Sequence, residues 1–213
     1  MSGFLDIIST WWPVLFAYVI GATPFGFLAG KSRGIDIRDH GSGNIGATNV
    51  LRTLGKPVGI TVLILDVLKG MMPVLIAEWV GVDTLVQIAT AVAAILGHNY
   101  TFWLGYKGGK GIATTGGALL SIMPIAILSA IVLWILALKI TRYVSVASIV
   151  AALTIPTVLT IRSFISSEWN IPVLCLGLFV CVLAIWKHRA NIARLRRGEE
   201  NRFGKPTSPP SQD

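Results

Sequence analysis

Three polar segments interrupt an otherwise apolar chain, and each carries residue types suited to holding phosphate. The first runs His40-Gly-Ser-Gly-Asn-Ile-Gly-Ala-Thr-Asn-Val-Leu-Arg52. Its glycines at 41, 43 and 46 free the backbone for close approach to a ligand. Successive N–H groups in such a stretch can form an anion nest, above all where a helix begins. Ser42, Asn44, Thr48 and Asn49 add neutral hydrogen-bonding groups, and Arg52 adds a cationic fork suited to bidentate phosphate binding. The same serine and asparagine side chains are also the usual helix caps, so a purely architectural loop has the same composition.

The second segment pairs Gly97-His98 with Lys107-Gly-Gly-Lys-Gly111. It has the chemistry of a phosphate loop without the spacing of a nucleotide-binding one, since no Gly-x-x-x-x-Gly-Lys-Ser/Thr is present. Lys107, Gly108, Gly109, Lys110 and Gly111 could offer N–H groups and ammoniums to an anion, or form a tight interfacial turn with two lysines. His98 reads equally as a structural anchor and as a catalytic group. The third segment is His188-Arg-Ala-Asn-Ile-Ala-Arg-Leu-Arg-Arg-Gly-Glu-Glu200. His188 and Asn191, three residues apart, share one helix face, and the arginines suit phosphate or lipid headgroups alike.

The elements that must position these segments are membrane helices. Of 213 residues, 54% are hydrophobic and 13% charged, against about 25% charged in a soluble domain; the mean hydropathy is +0.72. Apolar stretches of roughly 20 residues cross a bilayer as helices. They are expected over Trp11–Gly30, Pro57–Val80, Thr84–Leu104, Gly111–Leu138, Tyr143–Ile161 and Trp169–Trp186. The N-terminal segment has no basic leader run and reads as a retained span. The net charge of +8 gathers at Lys31–Arg33, Lys107–Lys110, Lys139–Arg142 and Lys187–Arg197. Between apolar spans such runs mark cytoplasmic loops, not nucleic-acid contacts.

Gly111–Leu138 would be about 40 Å long as one helix, too long for a hydrocarbon core of about 30 Å. Pro124 offers a break. Splitting there places all three polar segments on one side. The expected fold is therefore an all-α integral membrane protein of seven transmembrane helical segments, with a periplasmic N-terminus and a cytoplasmic C-terminus. Asp66 and Lys69 lie inside the second span at helical spacing and read as a mutually neutralising pair. Cys175 and Cys181 read as buried spectators. No set of His, Cys and carboxylates has ligand spacing, so neither a metal nor a cofactor is expected.

The segments Ser42–Arg52, Lys107–Thr114 and His188–Glu200 resemble, in order and spacing, the three signature motifs of the PlsY family of bacterial acyl-phosphate:glycerol-3-phosphate acyltransferases. Thr23-Pro24-Phe25-Gly26 and Asp66-Val-Leu-Lys69-Gly70 also fit its pattern. The resemblance implies transfer of a fatty acyl group from acyl phosphate to the 1-hydroxyl of glycerol 3-phosphate at the cytoplasmic face of a bacterial inner membrane. It implies catalytic roles for Ser42, Arg52, Lys110, His188 and Asn191. Substrate-binding roles would fall to Gly43, Asn44, Gly46, Thr48, Asn49, Lys107, Gly108, Gly109, Gly111 and, in a later span, Ser145. Residues 1–197 would form one membrane-embedded acyltransferase domain and 198–213 a polar, disordered cytoplasmic tail. The expected partners are the two substrates and membrane lipids, with no nucleic acid and no obligatory protein partner.

Acyltransferases of the His-x-x-x-x-Asp type are excluded by residue identity. The positions five residues after His40, His98 and His188 hold Ile45, Trp103 and Ala193. A transporter of a phosphorylated metabolite is the alternative class, since polar groups inside spans suit one.

Overall fold

Helix boundaries follow the punctuation of the sequence. In the computed structural model, which describes residues 2–204 and side chains from Ser9 onward, ten α-helices are joined by short turns. The first, α1 (Ser2–Gly21), ends at Ala22-Thr23-Pro24, and α2 (Phe25–Lys31) resumes beyond that break. The stretch between Lys31 and Lys56 contains a 3₁₀ turn (Ile37–Asp39) and α3 (Ala47–Leu54). Gly55, at φ +87°, turns the chain into α4 (Lys56–Trp79). Asp83 caps α5 (Thr84–Asn99) by accepting the Val86 N–H at 2.9 Å.

The long apolar stretch is broken where proline allows it. α6 (Ile112–Leu119) stops before Pro124, and α7 (Pro124–Thr141) starts on that proline. Then come α8 (Val144–Ser166), α9 (Ile171–Lys187) and α10 (Arg189–Arg197). Among the described residues, five segments are long and apolar enough to cross a bilayer: Ser9–Lys31 through the α1–α2 break, α4, Thr84–Leu104 (α5 with the turn after it), α7 and α8. The α9–α10 pair, bent by 51°, makes a sixth if it is counted as one span. The eight residues of α6 extend only about 12 Å, so helix length alone does not give seven crossings.

Close backbone approach holds the bundle together. A Cβ at Gly21 would lie 2.2 Å from the Ala94 carbonyl oxygen, which lets α1 pack directly on α5. Gly70 and Gly117 do the same for α4 and α6, where a Cβ would come within 2.2 Å of the Thr114 and 2.1 Å of the Val67 carbonyl oxygens. Ile95, Leu119, Ile127, Ile155 and Val180 pack into one core spanning α5 to α9. Outward, Trp79, Ile140, Ile165, Leu15 and Val182 are 67–85% exposed, as expected for side chains that face lipid tails. Cys181 is buried and Cys175 exposed, both as free thiols, so the buried reading holds for Cys181 alone. Cys175 stands on the outward side of α9 because a thiol is apolar enough for lipid.

Candidate active site

The second and third polar segments meet at the ends of α5, α6, α8 and α9, and Arg52 of the first joins them. Lys110 donates to the Asn191 amide oxygen, and Asn191 Nδ2 donates to Glu200 Oε1 at 2.6 Å. Ser145 Oγ donates to the same oxygen at 2.8 Å, and Arg194 Nε to Glu200 Oε2 at 2.8 Å. Arg52, on α3, reaches the Asn201 carbonyl at 3.2 Å. Glu200 thus sits among Arg52, Lys110 and Arg194, each within electrostatic range of it.

Residues 199–203 fold back over the bundle: Phe203 N–H bonds the Arg142 carbonyl at 2.7 Å, and Arg202 reaches the Tyr143 hydroxyl at 3.0 Å. The cause is charge, since three clustered cations require a carboxylate. Residues 205–213 of the expected tail lie outside the described residues. Within the third segment, Glu200 is the cluster residue that sequence reasoning did not single out. The only signal for it was a carboxylate at the end of a strongly basic segment.

The first segment divides its labour. Asn49 is buried and fully committed to backbone: its Oδ1 accepts the Ser42 N–H at 2.8 Å, and its Nδ2 donates to the Ile37 and His40 carbonyls at 3.2 and 2.9 Å. It shapes the loop, with both amide hydrogens spent on backbone carbonyls. Asn44 Oδ1 holds the Gly46 N–H at 2.9 Å, just before α3. Gly43 adopts φ +69°, open to glycine at little cost. The Ser42 hydroxyl has no protein partner among the described residues, and neither do the N–H groups of Asn44 and Ile45. Thr48 is half-buried in the first turn of α3.

The glycine–lysine turn also differs from a simple nest. Gly108 and Gly109 direct their N–H groups to the Asn99 and His98 carbonyls, at 3.3 and 3.1 Å. They fasten the turn to α5 through these two N–H groups. The N–H groups of Lys110 and Gly111 have no acceptor among the described residues, and they lead into the start of α6. Lys107 is exposed and no polar contact ties it to the cluster. Ser145, at the start of α8, is 3% exposed and belongs to the site through Glu200.

Burial pushes the Lys110 ammonium down to about 8, with Glu200 opposing that shift and Arg194 and Arg52 adding to it. His188, just past the end of α9, is pushed down to about 4 by burial and then by Lys110. Its Nδ1 lies 2.7 Å from the Ala184 carbonyl; with Nδ1–H as donor there, the neutral ring keeps Nε2 as an acceptor. Burial would raise the Glu200 carboxyl, but hydrogen bonds from Asn191, Ser145 and Arg194 hold it below the usual range.

A sequence profile described as Glycerol-3-phosphate acyltransferase matches residues 11–198, which take in the first two polar segments and the third as far as Gly198. The chain belongs to that family. Glycerol-3-phosphate acyltransferases of Geobacter sulfurreducens and Aquifex aeolicus are 47% and 41% identical to it. Those matches span 88% and 89% of this chain and 94% and 97% of theirs. A crystal structure of PlsY (YgiH), described as an integral membrane glycerol 3-phosphate acyltransferase in its glycerol 3-phosphate form, superposes with a TM-score of 0.85 at 41% identity. It covers 92% of this chain and 96% of that one. A second structure of PlsY, in a lysophosphatidic acid form, gives 0.82. Like PlsY, this acyltransferase is an integral membrane protein, all-helical over the described residues.

Proposed function

We propose that this enzyme transfers a fatty acyl group from acyl phosphate to the 1-hydroxyl of glycerol 3-phosphate, forming lysophosphatidic acid and inorganic phosphate. The observation that carries this reading is the convergence of Arg52, Lys110 and Arg194 with His188, Asn191 and Ser145 at one end of the helices. Two phosphate-bearing substrates need several cations, while the acyl chain needs lipid. Each CH₂ kept in the bilayer contributes about 0.8 kcal/mol to holding the donor there.

In the reaction, the glycerol hydroxyl oxygen attacks the acyl carbonyl carbon, and the bond from that carbon to the phosphate oxygen breaks. The leaving phosphate takes the hydroxyl proton, so no covalent enzyme intermediate forms. Lys110 and Arg52 stabilise the developing oxyanion and the departing phosphate, an effect worth about 3–4 kcal/mol for a well-placed donor. The Ser42 hydroxyl and the free N–H groups beside it orient a phosphate. His188 Nε2 accepts the attacking hydroxyl's hydrogen bond without acting as the base, because a ring pushed down to about 4 is a poor proton acceptor at neutral pH.

The site faces the cytoplasm of a bacterial inner membrane in this proposal. The N-terminus lies outside, seven segments cross, and α6 is a short crossing completed by residues before Pro124. Basic loops at Lys31–Arg33, Lys107–Lys110 and Lys139–Arg142 support that orientation.

The test uses protein reconstituted in vesicles with palmitoyl phosphate and labelled glycerol 3-phosphate. Labelled lysophosphatidic acid in the lipid fraction is the expected result. Label accumulating in the vesicle lumen without lipid product would replace the enzyme with a transporter.

A further inference from the structure

Asp66, Lys69 and His98 are between 2 and 5% exposed, yet they sit in helices that cross the membrane. Charged groups there are costly unless they are paired or at work. Lys69 Nζ lies 2.8 Å from Asp66 Oδ1 and donates to the Thr23 carbonyl at 2.8 Å, at the break between α1 and α2. A self-contained pair would end there. It continues, because His98 Nδ1 lies 3.7 Å from the same Asp66 oxygen. The far side of the imidazole meets the glycine–lysine turn: a Cβ on Gly109 would lie 2.1 Å from His98 Nε2 and 3.0 Å from Cε1.

The same residue also fixes the turn through its backbone. The His98 carbonyl takes the Gly109 N–H at 3.1 Å, and the Asn99 carbonyl takes both the Gly108 N–H and Lys187 Nζ, at 3.3 and 3.0 Å. Lys110 is the next residue, and its ammonium is the group aimed at Asn191. The imidazole is therefore the floor on which the turn rests, and Asp66, paired with Lys69, faces its other edge at 3.7 Å.

We propose that Asp66, Lys69 and His98 form a buried polar column that positions the Lys107–Gly111 turn, with His98 as the positioning residue for the Lys110 ammonium. The column touches no reacting atom. Its effect is on binding of the phosphate substrate that Lys110 holds, and the proposal rests on the reading of Lys110 as a phosphate-binding group. It also accounts for glycine at 109, since any side chain there would collide with the ring.

Steady-state kinetics on purified full-length protein in lipid tests this, with both substrates varied. Lys110→Gln identifies the phosphate substrate whose KM depends on that ammonium. His98→Ala is expected to raise that same KM about tenfold or more, as small misplacements of a binding group do. Because Lys110 also stabilises the departing phosphate, kcat should fall no further than it does in Lys110→Gln, and the other substrate's KM should stay unchanged. Asp66→Asn should move the same KM in the same direction. Gly109→Ala should be severely impaired in the natural background, yet add little in His98→Ala/Gly109→Ala, where the ring is gone. His98→Gln serves if His98→Ala does not give monodisperse protein, and the same KM split is expected of it. A fall in kcat with KM unchanged, or additive effects of the two substitutions, overturns the column. No KM change in Lys110→Gln removes the underlying reading of Lys110 and the column with it, whereas a rise there without one in His98→Ala removes the column alone.

Discussion

Replacing Glu200 by alanine should unfold the site, because this carboxylate alone satisfies donors contributed by α8 and α10. Ser145 and Asn191 are 3 and 5% exposed, and both donate to Glu200 Oε1. Each orphaned buried donor costs about 1–3 kcal/mol. Arg194 is 27% exposed at its side chain, so its ion pair is largely screened and adds little. The sum of the two is about 2–6 kcal/mol. At about 2–4 °C per kcal/mol for a chain of this size, Tm should fall by about 4–24 °C. Glu200→Gln keeps an acceptor oxygen for Ser145 and Asn191, so its Tm should fall by less than half as much. Its charge loss should lower the Lys110 pKa below about 8, which separates the stability role from the electrostatic one. Thermal unfolding in a single detergent, followed by intrinsic fluorescence, reads both variants. A Glu200→Ala protein within 2 °C of wild type would refute the reasoning.

Above pH 7, where the glycerol 3-phosphate dianion is complete, kcat/KM reports the free enzyme. Lys110 is charged below about 8 and neutral above it, so kcat/KM should be level near pH 7 and fall about tenfold per pH unit beyond 8; Lys110→Arg should abolish that fall. Ser42→Ala should lower kcat/KM by about a hundredfold or more, and full activity in that variant would remove the first segment from the site. Gly117→Val should disperse or aggregate in size-exclusion chromatography, because a Cβ would already lie 2.1 Å from the Val67 carbonyl oxygen.

The sequence carried the helices and the grouping of charges because both are local signals. Apolar runs and proline positions set α4, α7 and α9 within a residue or two of their observed starts. α8 runs five residues past the expected Ile161, to Ser166, because Arg162 and the serines tolerate a helix end in the headgroup region. Asp66 and Lys69 pair as their spacing predicts. Long-range commitments were hidden. Nothing in Asn49 distinguishes a substrate ligand from a side chain spent on the Ile37 and His40 carbonyls. The N–H groups of Gly108 and Gly109 read as free until α5 is seen to end against them. Glu200 stands 55 residues from Ser145, in a stretch whose composition resembles a disordered tail.

Donor identity tests the central claim most directly. Purified protein in lipid is given labelled glycerol 3-phosphate with either palmitoyl phosphate or palmitoyl-CoA, and lysophosphatidic acid and released phosphate are measured together. The account predicts equimolar lysophosphatidic acid and phosphate with palmitoyl phosphate, and no product with palmitoyl-CoA. Turnover with palmitoyl-CoA alone would contradict a site built around two phosphates.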